Sequence, residues 1–244
     1  MFSVSASPPR ALLWMLPSAA AARASARGGQ RDDPTIAPKP TGKAHAARVQ
    51  ALCFAADGTM IISASKDNTI KLWQRDRWHA TLVGHGDDVN ALATTADGRW
   101  LVSGSSDATV RIWSLPGGCP GKVLDGHGGP VRAVAVSGSR VFAGCDDGTI
   151  RVWDLVEGRL LATLEAHLAA ISALALSRDG QRLASAARDQ SLSLWSLAEP
   201  WRSQELGRLP SPVQALSFDA DGKVLWCGGA DQKIRAVDSS SGAC

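Results

Sequence analysis

From residue 45 onward the chain is a succession of short apolar runs of Val, Ile, Leu and Ala, cut by turn residues such as ADG, RDG and SSDA. Alternation over short runs between such turns predicts antiparallel strands. No segment sustains a helical period with caps, so no helix is expected. Each unit reads as three strands, then a linker and a fourth strand such as HATLVGH or RLLATLEAH.

The runs repeat. Aligned on one Asp, the segments KAHAARVQALCFAADGTMIISASKDNTIKLW, VGHGDDVNALATTADGRWLVSGSSDATVRIW, DGHGGPVRAVAVSGSRVFAGCDDGTIRVW and EAHLAAISALALSRDGQRLASAARDQSLSLW match position by position. A fifth, GRLPSPVQALSFDADGKVLWCGGADQKIRAV, keeps the spacing but loses the His and the Trp. Units therefore start near 45, 85, 127, 167 and 209, and in each the Asp (67, 107, 147, 189, 231) stands six residues ahead of the Trp position (73, 113, 153, 195, then Val237). Four strands per 40-odd residues make one twisted sheet that must stack on its neighbours to bury both faces. The expected fold is all-β, a β-propeller of four-stranded antiparallel blades.

The GH at the start of a unit, the DG turn, SGSxD and the TVRIW or TIRVWD strand together resemble the WD-repeat family, over roughly residues 42–238. Several positions recurring at fixed offsets make that signal specific.

Ser103, His85 and Asp107 are the residue types of a hydrolase triad. The resemblance implies another role: His, Ser, Asp and Trp forming a hydrogen-bonded tetrad inside each blade. A buried carboxylate needs donors, and imidazole, hydroxyl and indole N–H can supply them. The complete sets are His45/Ser63/Asp67/Trp73, His85/Ser103/Asp107/Trp113 and His167/Ser185/Asp189/Trp195. The third unit has His127, Asp147 and Trp153 but Ala143 in place of Ser; the fifth keeps Asp231 with Leu209, Cys227 and Val237. Three copies of one catalytic triad in a small domain would be odd, whereas three copies of one brace suit a repeat fold. The third and fifth blades are expected to be less rigidly braced.

For partner contact the family favours the positions three and five after the His and one before the Asp. Here these are Arg48, Gln50 and Lys66; Asp88, Asn90 and Ser106; Pro130, Arg132 and Asp146; Ala170, Ser172 and Arg188; and Pro212, Gln214 and Ala230. Four are basic, two acidic and none aromatic, which suits a protein or peptide segment with some negative charge. Arg48, Lys66, Arg132 and Arg188 lead the set.

Charge narrows the partner class. Residues 1–44 hold six Lys/Arg against two Asp, and the rest 20 against 21, so the body lacks the positive field of a nucleic-acid binder. No apolar run is long enough to span a bilayer. The five cysteines (53, 119, 145, 227, 244) form no CxxC and no even set, which argues against disulfides or zinc and for a reducing compartment. Outside the repeat pattern there is no phosphate loop, HExxH, nucleophile elbow or paired metal ligand set, so neither metal, cofactor nor small-molecule substrate is expected. His79 reads as a surface residue, and Trp78, Trp100, Trp201 and Trp226 as outer packing or partner anchors.

Residues 1–31 are rich in Ala, Arg and Ser without an acidic residue, the composition of a disordered extension or an organellar transit peptide. Residues 32–44 read as a Pro-containing linker in which PTIAPK could supply a closing strand; the weak strand character of 33–40, the degraded fifth repeat and the missing fourth strand favour an incomplete ring. The propeller is assigned to 45–244.

The expected function is a non-enzymatic interaction scaffold or adaptor in a multiprotein complex, in the cytoplasm, or in an organelle if residues 1–31 are a transit peptide. The alternative is a receptor for a short acidic or phosphorylated peptide. The reading from another class is a hydrolase using one Ser/His/Asp set.

Overall fold

A computed structural model describes residues 45–74, 77–198 and 201–243. The extension, the linker with PTIAPK, and Cys244 lie outside the described residues.

The first sheet comprises β1 (Val49–Phe54), β2 (Met60–Ser65), β3 (Thr69–Gln74) and β4 (Arg77–Val83), hydrogen-bonded in chain order. The second repeats this with β5 (Val89–Thr94), β6 (Trp100–Ser105), β7 (Val110–Ser114) and β8 (Cys119–Leu124). The third holds β9 (Val131–Ser137), β10 (Arg140–Cys145), β11 (Thr149–Asp154) and β12 (Leu160–Glu165), and the fourth β13 (Ile171–Leu176), β14 (Arg182–Ala187), β15 (Ser191–Ser196) and β16 (Arg202–Arg208). Among the described residues the fifth has three strands, β17 (Val213–Phe218), β18 (Val224–Gly229) and β19 (Ile234–Asp238). Every pairing is antiparallel, as the short runs between tight turns dictate.

The first strands β1, β5, β9, β13 and β17 pack on one another in succession, so the sheets radiate around a common axis. The fold is a β-propeller whose ring is not closed.

Successive sheets meet through apolar faces. Ile62, Ile70 and Leu72 of the first face Val89, Leu101 and Trp113 of the second. The same register recurs between later sheets. Burying each such aliphatic side chain contributes about 1.5–3 kcal/mol, and neither face of a sheet could be covered without a neighbour. Each sheet thus has a forward face and a receiving face, and at each of the four junctions the forward face of one sheet covers the receiving face of the next.

The turn between the second and third strands needs one residue in the left-handed region. Asn68, Ala108, Gln190 and Gln232 take it with φ of 64°, 62°, 73° and 64°, and Gly148 with 82°. Four of five are not glycine, so this turn stores local backbone strain.

Candidate functional site

At one end of every sheet, the loop leading into the first strand meets the turn after the second. A backbone hydrogen bond fixes that meeting five times: the amides of Lys66, Ser106, Asp146, Arg188 and Ala230 donate to the carbonyls of Arg48, Asp88, Pro130, Ala170 and Pro212 at 2.9–3.0 Å. These are the positions one before the Asp and three after the His. The pairing holds in the fifth sheet although its His is replaced by Leu209.

Behind this joint lies the His–Ser–Trp line. In the second sheet His85 Nδ1 is 2.9 Å from Asp107 Oδ2, Nε2 is 2.8 Å from Ser103 Oγ, and Trp113 Nε1 donates to the same hydroxyl at 2.9 Å. A neutral ring satisfies the whole chain: Nδ1–H donates to the carboxylate, Nε2 accepts the serine O–H, and the serine oxygen accepts the indole. Burial lowers the proton affinity of His85 against the opposing pull of Asp107. Burial alone would raise Asp107, but hydrogen bonds from Thr109, the Gly86 amide and His85 hold it at about 2. The first sheet repeats the arrangement, with His45 Nδ1 2.9 Å from Asp67, Nε2 2.7 Å from Ser63 Oγ, and Trp73 donating to Ser63 at 2.8 Å.

The fourth sheet departs from it. His167 Nε2 and Trp195 Nε1 meet Ser185 Oγ at 2.7 and 2.9 Å, but Nδ1 donates to Ser191 Oγ, and Ser191 donates to Asp189. A hydroxyl relays the contact that is direct in the first two sheets. The equivalent Thr69, Thr109 and Thr149 also bond the turn Asp, at 2.6–2.7 Å. Sequence reading missed this position, although its signal, a Thr or Ser two residues after the Asp, recurs four times.

In the third sheet Ala143 carries no hydroxyl, and His127 Nε2 and Trp153 Nε1 are buried without a hydrogen-bond partner. His127 Nδ1 lies 3.3 Å from Cys145 Sγ, and Asp147 turns instead to Arg151 at 2.9 Å. Burial, with Arg151 adding to it, lowers His127 to about 4. In the fifth sheet Leu209, Cys227 and Val237 are buried together in an apolar cluster, and Asp231 pairs with Arg235. The two incomplete units thus differ in kind: one keeps orphaned polar atoms, while the other has exchanged the network for packing.

His85 Nδ1 to Asp107 and Nε2 to Ser103 is also the connectivity of a catalytic triad. Ser103 is 0% exposed, shares its oxygen with an indole donor, and sits on a receiving face covered by the first sheet. A hydroxyl so enclosed does not face solvent, and both of its ring contacts lie inside the sheet.

At the outer end the predicted contact residues largely bond one another. Arg132 closes on Asp146 with two bonds, Nε to Oδ1 at 2.8 Å and Nη2 to Oδ2 at 2.7 Å. Lys66 of the first sheet pairs with Asp88 of the second. Asn90 Nδ2 donates to Ser106 Oγ and to the Val131 carbonyl of the third sheet, both at 3.0 Å; Ser172 donates to the Val213 carbonyl of the fifth. Gln50 and Gln214 are half-buried. Among the described residues Arg48 and Arg188 are exposed and make no side-chain hydrogen bond or ion pair. Two of the four leading cations, Lys66 and Arg132, are therefore committed internally.

The remaining residues are mostly packing. Trp100 and Trp201 pack against core clusters, Trp78 and Trp226 are exposed, and so is His79. Cys53, Cys145 and Cys227 are buried free thiols and Cys119 is exposed. No described helix is long and apolar enough to cross a membrane.

The family model for the WD domain, G-beta repeat, matches residues 38–74, 77–114, 118–154 and 158–196, together more than half of the chain. The chain belongs to the WD-repeat family. Members of this family are in general protein–protein interaction scaffolds and generally non-enzymatic. The match covers the four units that keep the His and the Trp; the fifth sheet extends the same architecture. No curated protein matches the chain.

Proposed function

We propose that this WD-repeat protein is an adaptor that holds partner proteins in a multiprotein assembly, contacting them through the end of the sheets that carries Arg48 and Arg188. The observation behind this choice of surface is the division of its charges. Lys66, Asp88, Arg132 and Asp146 satisfy one another, and breaking such pairs to engage a partner carries a penalty. Arg48 and Arg188 are exposed, and a guanidinium offers a planar fork to carboxylate or phosphate. That chemistry also supports the second reading, a receptor for an acidic or phosphorylated peptide. The free thiols favour a reducing compartment, the cytoplasm, with an organelle as the alternative if residues 1–31 direct the chain there.

Affinity capture with the full-length chain tests the surface. The Arg48→Glu/Arg188→Glu double variant should fold normally and lose co-purifying partners, while Lys66→Gln retains them. Retention of every partner by the double variant would exclude this surface. Peptide arrays with and without phosphate on otherwise identical sequences separate the adaptor from the receptor.

A further inference from the structure

Among the described residues one interface occurs four times over, and half of a further copy stands exposed on the first sheet and half on the fifth. On the receiving faces, Leu101, Val141, Leu183 and Leu225 are each 0% exposed under the preceding sheet, whereas the equivalent Ile61 of the first sheet is 39% exposed. On the forward faces, Ile70, Val110 and Ile150 are 0% exposed and Leu192 1%, whereas the equivalent Ile234 of the fifth sheet is 69% exposed. Val49 and Leu52 accompany Ile61, and Trp226 accompanies Ile234, all of them exposed. These are not scattered surface residues. They occupy the core positions of a packing solution that the same chain realises between every other pair of neighbours.

We propose that these two faces join copies of the chain head to tail, the forward face of the fifth sheet in one copy seating on the receiving face of the first sheet in the next. Three observations select a second copy as the occupant. The faces are complementary halves of one interface type, so each is chemically fitted to the other. Among the described residues of one chain they do not meet, because the ring is not closed. What covers a receiving face elsewhere is the forward face of a whole repeat unit, and residues 1–44 contain no further copy of the repeat pattern.

The polar rim of the interface extends the match. In the two joints where Asn90 and Ser172 reach forward, they donate to the carbonyls of Val131 and Val213 at the start of the next sheet. The residue at that position in the fifth sheet is Gln214, and the carbonyl it would meet is that of Val49. An amide side chain has the donor this bond requires. Such an interface is heterologous: each copy uses two different patches, and assembly continues until it closes on itself or is capped.

Sedimentation velocity on the full-length chain over a concentration series, with far-UV circular dichroism to verify folding, tests the proposal. The wild type should associate as concentration rises. Ile61→Lys, which blocks the first face, and Ile234→Lys, which blocks the fifth, should each be monomeric alone. Mixed in equal amounts they should give a species of twice the monomer mass and no larger, because one intact face remains on each copy. If either substitution prevents folding, Leu52→Lys and Trp226→Lys replace the pair. A wild type that stays monomeric at every concentration, association that neither variant disturbs, or a mixture that stays monomeric overturns the proposal. So does native purification in which a different protein covers both faces.

Discussion

The rings of His127 and Trp153 lie 5.4 Å apart, and each keeps one buried nitrogen without a hydrogen-bond partner. The cause is Ala143, which stands where Ser103 and Ser185 bridge the corresponding rings. Ala143→Ser supplies an acceptor for the indole and a donor for the imidazole in a register already shared with Ser103. It should raise stability by about 1–2 kcal/mol, and Ser103→Ala should lower it by about 1–3 kcal/mol. Urea unfolding of the two variants against wild type reads both signs. A third sheet that does not gain from the hydroxyl would mean that the orphaned atoms are satisfied in another way.

Acidification should destabilise the protein over two successive pH ranges. Burial lowers the proton affinity of His85, His127 and His167 in the folded chain, His127 from 6.5 to about 4. The unfolded chain therefore takes up protons that the folded chain refuses. The stability these rings confer is complete above about pH 6.5 and is lost as pH falls below it, for His127 on approach to about 4. Each ring contributes a slope of at most about 1.4 kcal/mol per pH unit. Asp67 and Asp107, held at about 2, govern the lower range, their contribution present above 3.8 and lost on approach to 2. The urea midpoint should fall between pH 7 and pH 5. His127→Leu, which copies the Leu209 solution of the fifth sheet, should make that fall shallower; an unchanged slope would assign the effect to other groups.

Turn strain should be readable by exchange in both directions. Ala108, at φ 62°, should accept Gly with a gain of about 0.5–1 kcal/mol. Gly148, at φ 82°, should reject Ala by more than about 1 kcal/mol, because the added Cβ would lie 2.2 Å from the His167 carbonyl oxygen. Guanidinium unfolding of the two variants gives the comparison, and equal effects would exclude the steric explanation.

Arg182 ties the fifth sheet to the fourth. Its guanidinium donates to Ser239 Oγ at 3.1 Å and to the Gly222 carbonyl at 2.7 Å, with the Phe218 ring 5.7 Å away. Arg182→Met keeps the stem and removes both bonds, at a cost of about 1–3 kcal/mol. Hydrogen exchange should accelerate across Val224–Asp238 and leave the second and third sheets unchanged. Uniform acceleration would instead show that the sheets open as one unit.

How far these features are legible in the sequence depends on whether they are local. The strands, the repeat and the His–Ser–Trp line recur at fixed offsets, so repetition itself separates them from chance. The fate of the turn Asp does not recur in this way. Asp147 and Asp231 pair with an Arg four residues on, yet Arg111 stands at the same offset from Asp107, which stays with His85. The outcome turns on what else surrounds the carboxylate, and the sequence does not display competition for a shared group. The loss of Lys66 and Arg132 as free cations was hidden for a related reason. Asp88 reaches Lys66 across an inter-sheet joint, a meeting set by how the sheets stack.

Trp73, Trp113, Trp153 and Trp195 occupy one equivalent station in four successive sheets, and Val237 fills it in the fifth. Three of these indoles donate to a serine and the fourth has no partner. The chain is thereby indexed by its own chromophores. Each of four units carries a native probe at this station whose N–H resonance reports that unit, and the fifth has none there, its Trp226 lying exposed on β18 instead. The order in which the units come apart can be followed by removing one indole at a time, without any foreign label.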